Sequence, residues 1–305
     1  MRPFVTCFGA TNVDIRARSH APVIPGTSNP AERTISYGGV ARNAALALTR
    51  LGCRTSLVGR VGKDAEGRAM RADLRQKNIE TNYLGRSTSS PTATYTALLE
   101  PHGDMAVAFA DTAIYDELRP RTVAKAAREL SNAVCWFLDA NVPEATLQSL
   151  ADAKPRSALL AADAVSVAKS GRLAPILDQL DLLIANEDEA ALLSGDGDAR
   201  RAAMALVAKG VGVAVIGLGE RGLIAAGRGL SGVVELDAPT VQVVDVTGAG
   251  DCLGAGVLFG LLTDRSTDAA LRLGVAAAGQ SLASPLAVPN GLNAERLLDR
   301  AGIAR

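Results

Sequence analysis

Apolar residues in this chain fall into short runs separated by longer stretches of helical spacing. Residues 4–10 form an apolar run short enough for a buried strand, and the alternating Asn12-Val13-Asp14-Ile15 predicts a strand leaving the core. Pro22, Pro25 and Pro30 exclude a helix over residues 19–37, which read as a loop followed by an edge strand. After Gly38-Gly39, the spacing of Val40, Ala44, Leu46, Leu48 and Leu51 predicts one side of a helix that stops near Gly52. Residues 55–61 read as a strand and 64–77 as a helix. Residues 92–99 and 105–110 then read as two strands joined by a turn at His102-Gly103-Asp104.

Beyond Pro120 the two periods alternate regularly, with strands over 133–138, 158–163, 180–185 and 211–217 and helices over 144–153, 187–193 and 199–209. Such a series predicts an α/β fold, a mainly parallel sheet covered on both faces by helices. Residues 222–226, 232–236 and 241–244 read as closely spaced strands, and two long helices from Gly248 and Thr267 complete the chain. The segments 12–37 and 92–111 lie outside this rhythm. They predict a small β-sheet formed by discontinuous segments of one domain spanning 1–305, acting as a lid that excludes water from a reacting group.

Composition narrows the partner. With 305 residues, 48% of them hydrophobic, the chain can bury one large core. Lys plus Arg and Asp plus Glu each total 32, and no basic run could follow a phosphate backbone, so the expected partner is a small molecule and not nucleic acid. Cys7, Cys53, Cys135 and Cys252 are too scattered for a zinc or redox motif, which fits a reduced cytoplasm. The N-terminus lacks a signal-peptide stretch and no apolar run reaches membrane-spanning length, so no membrane association is expected.

The strongest chemical signal is Asp245-Val246-Thr247-Gly248-Ala249-Gly250-Asp251, a strand end running into small residues and an apolar helix. Free N–H groups and the positive dipole end at a helix start favour an anion, and small residues let phosphate oxygens approach the backbone of Gly248, Ala249 and Gly250. An isolated Asp in a first helical turn is ordinarily explained by the dipole alone. Beside a bound phosphate, Asp251 could instead accept the proton of an incoming hydroxyl. At an ordinary carboxylate pKa of about 4 it would act mainly by orientation. Gly217-Leu218-Gly219-Glu220-Arg221-Gly222 has dinucleotide-fingerprint spacing, but a strand and not a helix is predicted after it. His20 and His102 lie in loops and form no catalytic pair.

The heptapeptide ending at Asp251, together with Gly38-Gly39-Val40-Ala41-Arg42-Asn43, resembles the ribokinase-like (PfkB) carbohydrate kinase family over essentially the whole chain. The resemblance implies a three-layer αβα kinase fold with a β-sheet lid. It implies that Gly38 and Gly39 approach the sugar, that Asn43 bonds a sugar hydroxyl and that Asp251 is the catalytic base. Asn186-Glu187-Asp188-Glu189 is similar to the family element that organises Mg2+ and the phosphates of ATP through water, with Glu189 on the metal side. Gly217, Gly219 and Gly222 fall where relatives turn beside the nucleotide. A monovalent cation such as K+ is implied near Asp245 and Thr247, and a homodimer through the lids.

Within the family, the lid segments Asn12-Val13-Asp14, Ser19-His20 and Ser28-Asn29-Pro30, with Thr92-Ala93-Thr94-Tyr95 and Asp139-Ala140-Asn141, are similar to those of the pseudouridine kinases. Asn12, Asp14, Tyr95 and Asn141 are then expected at the substrate, Asp14 and Asn43 on ribose hydroxyls. Ser28 and Asn29 become candidates for the uracil edge, whose alternating donors and acceptors suit an amide. Ser28-Asn29-Pro30 taken alone is an ordinary turn. Other acceptors of the same family, ribose or adenosine among them, and a nucleoside sensor without activity are the alternatives.

Overall fold

A computed structural model describes residues 2–304. In chain order it contains β1 (Phe4–Phe8), β2 (Asn12–Ser19), β3 (Ala31–Gly38), α1 (Val40–Arg50), β4 (Arg54–Gly62), α2 (Ala65–Gln76), β5 (Ile79–Glu80), β6 (Leu84–Ser87), β7 (Thr94–Leu99) and β8 (Met105–Asp111). The second half follows with α3 (Pro120–Glu129), β9 (Cys135–Asp139), α4 (Glu144–Ala153), β10 (Leu159–Asp163), α5 (Val167–Ser170), β11 (Leu182–Asn186), α6 (Glu187–Ser194) and α7 (Ala199–Ala208). Then come β12 (Val213–Gly217), β13 (Leu223–Gly227), β14 (Val234–Leu236), α8 (Ala249–Leu262), α9 (Thr267–Leu282) and α10 (Ala294–Ala301).

The large sheet runs in the order β14-β13-β12-β11-β10-β9-β1-β4-β5, with β6 also on β4, and every pairing from β12 to β5 is parallel. Its central strands are buried on both faces because both alternating positions are apolar. Phe4, Phe8, Trp136 and Leu138 point into one core, with residues of α3, α4, α6 and α7; Val5, Cys7, Cys135 and Phe137 point into the other, with α1, α8 and α9. This is the three-layer α/β arrangement expected from the alternating pattern. No helix among the described residues is long and apolar enough to cross a membrane, and all four cysteines are free and buried.

A second sheet, β3-β2-β7-β8, is built from the two segments that broke the rhythm. β2 pairs antiparallel with β3 and parallel with β7, and β7 pairs antiparallel with β8. Asp14 and Arg16 share one face of β2, which Arg16 turns toward the body of the molecule.

The strand expected over 241–244 does not form. Val244 N–H donates to the carbonyl of Leu282 at the end of α9 (2.7 Å), and Val243 and Val244 are exposed. The segment crosses a helix end and takes its hydrogen bond there, so its β-branched composition does not find a neighbouring strand. The short β5 and β6, and α10, were not anticipated.

Candidate active site

Two loops converge at the carboxyl ends of the parallel strands. One leads from β3 into α1 through Gly39, whose φ of 99° is left-handed and whose added Cβ would stand 2.5 Å from the carbonyl oxygen of Ala10. The first turn of α1 has no side-chain cap from Gly39. Instead, the buried Asp139 at the end of β9 accepts from Ala41 N–H and Ala10 N–H, both at 2.9 Å, and from Asn141 N–H at 3.0 Å. One carboxylate therefore fixes the β1 end and the α1 start together. Burial raises its pKa against these three donors.

The other loop leads into α8 through Gly248, with φ 83° and an added Cβ only 2.3 Å from the Ala287 carbonyl oxygen, so no other residue fits without displacing backbone. Nothing lies within 4 Å of where a Cβ on Gly250 would stand. That space belongs to a cavity of about 230 Å³ lined by Gly248, Gly250, Asp251, Asn186, Glu189 and Gly217, among others. Six of the residues expected around a nucleotide are thus brought together. Asn186 and Glu189 form a reciprocal capping box at the start of α6, the Glu189 carboxylate accepting from Asn186 N–H (2.9 Å) and its amide (2.8 Å).

Asp251 connects this cavity to a second. Its Oδ2 accepts from the Asn43 amide at 2.7 Å, and the Asn43 oxygen accepts from Arg42 Nη1 at 2.9 Å. Arg42 in turn lines a larger cavity of about 660 Å³ beneath the small sheet, which also contains Asp14, Asp245 and Thr247. The guanidinium takes the amide oxygen, so the amide N–H2 has to face Asp251. Arg42 is itself anchored to Asp73 on α2 (3.3 Å).

Burial pushes the Asp251 carboxyl up from 3.8 to about 7; the Asn43 hydrogen bond opposes this, while the charge of Asp139 adds to it. The expectation of an ordinary carboxylate is therefore corrected: the Asp251 carboxyl titrates near neutral pH and not near 4. Asp163, which lines the same smaller cavity as Asp251, is raised well above its usual range by burial and by the charge of Asp251.

Other expected residues are placed differently. Asn12 donates to Asp14 (2.6 Å), orienting that carboxylate at the larger cavity. Gly38 packs on Asp14, where an added Cβ would stand 2.1 Å from Oδ2. Tyr95 lies opposite Asp14 on β7 and is partly exposed. Asn141 is buried and accepts from Lys169 Nζ at 2.5 Å, lining neither cavity. Ser28 and Asn29 stand in the exposed loop between β2 and β3, where the Asn29 side chain is engaged by Ile24 and Thr27 of its own loop. Gly219 and Gly222 form the turn between β12 and the antiparallel β13 and do not line the cavity that Gly217 lines, so the dinucleotide-fingerprint spacing is a hairpin. Asp245 and Thr247 are both bonded to Arg16. Arg16, Asp139 and Asp163 were not singled out as site residues; Asp139 and Asp163 stand only within segments, 139–141 and 163–166, that resemble the family's, and no motif marks Arg16.

The chain belongs to the pfkB family of carbohydrate kinases, whose model matches residues 2–291. It is a sugar or nucleoside kinase of that family, a phosphotransferase with an alcohol as acceptor. It is 26% identical over 298 residues to a ribokinase of Haemophilus influenzae, covering 92% of this chain and 93% of the relative. It is 29% identical over 262 residues to a pseudouridine kinase of Escherichia coli, covering 84% of this chain and 83% of the relative. An Arabidopsis thaliana ribokinase solved with ribose and ATP superposes with a TM-score of 0.87 over all of both chains at 23% identity, which establishes the shared fold.

Proposed function

We propose that this kinase transfers the γ-phosphoryl group of ATP to the 5′-hydroxyl of pseudouridine, giving pseudouridine 5′-phosphate and ADP. The observation that carries the phosphoryl-transfer chemistry is the position of Asp251. It sits in the first turn of α8, beside the open backbone of Gly248 and Gly250, and is linked through Asn43 to Arg42, which lines the acceptor-side cavity. The backbone amides at this helix start would hold phosphate oxygens. Asp251 would accept the hydroxyl proton as the acceptor oxygen bonds to phosphorus and the bond to the ADP oxygen breaks. The choice of pseudouridine rests on the similarity to a pseudouridine kinase and on the motifs that form β2 and the loop after it. The choice of ATP is supported by its presence in the Arabidopsis ribokinase structure.

The oxygen donors at the nucleotide-side cavity suit Mg2+. Mg2+ favours oxygen ligands, keeps several waters and bridges nucleotide phosphates. Glu189 and Asn186 would hold it through water, and the ion would offset charge on the phosphates.

We further propose that the small sheet closes as a lid. Base recognition by Ser28 and Asn29 requires the loop that carries them to fold over the larger cavity. Ile35, Ile15 and, through Thr96, Phe109 share one face of the sheet, with Ile35 53% and Phe109 66% exposed and Ile15 partly buried. Such a face supports pairing of two lids in a homodimer. A second reading, in which another acceptor such as ribose is preferred, is favoured by the wider coverage of the ribokinase match. The deciding experiment measures kcat/KM with Mg-ATP for pseudouridine, ribose, adenosine, inosine and fructose. The highest value for pseudouridine supports the proposal, and a higher value for any other acceptor replaces it.

A further inference from the structure

The loop that enters the catalytic helix is where the family resemblance implies a monovalent metal ion, yet its oxygens are already engaged. Arg16 Nη1 lies 2.6 Å from Asp245 Oδ2, and Arg16 Nη2 lies 2.7 Å from Thr247 Oγ1. The remaining Asp245 oxygen accepts from Thr247 N–H at 2.8 Å. A K+ ion coordinated by Asp245 and Thr247 would have to stand against a guanidinium and compete with it for the same lone pairs, so the residues present do not fit that ion.

We infer that Arg16 is a built-in cation that takes the place of a monovalent metal ion at the entrance to the catalytic helix, making the enzyme independent of K+. Two details set this pair apart from an incidental surface ion pair, which contributes little. Its guanidinium fork spans two separate groups of one tight loop, a carboxylate and a hydroxyl, which a point-charge ion of comparable charge would otherwise bridge. It also joins β2 of the small sheet to a loop 229 residues away that ends at Gly248, so the same contact that neutralises Asp245 fastens the small sheet to the phosphate-binding end of α8. Asp245 is only 19% exposed, so its charge needs a partner. Although burial works to raise it, the hydrogen bonds from Arg16 and Thr247 hold the Asp245 carboxyl below its usual range.

The activity arm of the test rests on the kinase reading, and the stability arm does not. In the first, kcat/KM of the wild-type protein is measured as KCl replaces choline chloride at constant ionic strength; it should change by less than about twofold, and a saturable rise of about tenfold overturns the inference. In the second, thermal unfolding of the substrate-free protein is measured for Arg16→Met, Asp245→Asn and the double variant, with each ion in turn. The double variant should unfold close to the temperature of the less stable single variant, and K+ should not raise the melting temperature of the wild type relative to choline. Additive losses from the two substitutions, or selective stabilisation of the wild type by K+, would show that Arg16 does not occupy the site. If no acceptor is phosphorylated at all, the kinase reading fails while the unfolding results still decide the role of Arg16.

Discussion

Replacing Asp251 by Asn should cost activity and raise stability in the same protein, because one buried carboxyl is responsible for both. The amide has the shape of the carboxyl, and its oxygen can still accept from Asn43. The folded protein raises the Asp251 pKa from 3.8 to about 7, mainly by burial. A group whose pKa is higher folded than unfolded favours folding fully below its unfolded value, and that stabilisation is lost as pH rises through the folded one. At pH 8 the charged carboxylate therefore weakens the fold by at most about 4 kcal/mol, at about 1.4 kcal/mol for each pH unit. The carboxyl opens onto a cavity that admits water, so we expect the Asn variant to gain about 2 kcal/mol, or a melting temperature higher by about 5 °C. The gain should shrink steadily toward pH 4. Turnover should fall by about 10³-fold, as loss of a positioned base does. The assay is thermal unfolding of substrate-free protein across pH, beside steady-state kinetics. A variant that melts lower at pH 8 than at pH 4 relative to the wild type, or that turns over near-normally, would refute the reasoning.

Three further outcomes test separate parts of the structure. Arg42→Met frees the Asn43 oxygen and lets the amide rotate away from Asp251, so kcat should drop by about tenfold with little change in nucleotide affinity; Arg42→Lys should recover little, since one ammonium cannot span Asn43 and Asp73. Gly248→Ala forces a Cβ against the Ala287 carbonyl at positive φ and should lower stability by about 2 kcal/mol, read as a lower melting temperature. Phe109→Asp places a charge at the exposed Phe109 position of the small sheet and should give a monomer mass by light scattering, against the dimer mass that the proposed lid pairing predicts for the parent protein, with the unfolding transition unchanged.

Much of this arrangement was legible along the chain because the relevant signals are local. Short apolar runs gave the parallel strands, and the glycines before Val40 and on either side of Ala249 marked the two helix starts. Asp251 stood out for the same reason. The partners of these residues did not, because they are close in space and remote in sequence. Asn43 meets Asp251 across 208 residues and Arg16 meets Asp245 across 229. The raised pKa of Asp251 is likewise a property of burial, which no motif encodes. The valines at 241–244 misled because β-branched composition describes a preference for extended backbone, while a strand also needs an unpaired neighbour, and here the nearest free acceptor is the end of α9. Asn29 shows the converse: its side chain suits a uracil edge, yet turn chemistry already engages it within its own loop.

The pH dependence of kcat/KM for the preferred acceptor at saturating Mg-ATP tests most directly whether a buried Asp251 activates the hydroxyl. A single ionisation near 7, with activity rising toward alkaline pH, is the predicted profile. Activity that is flat from pH 5 upward, as an ordinary carboxylate with a pKa of about 4 would give, contradicts it.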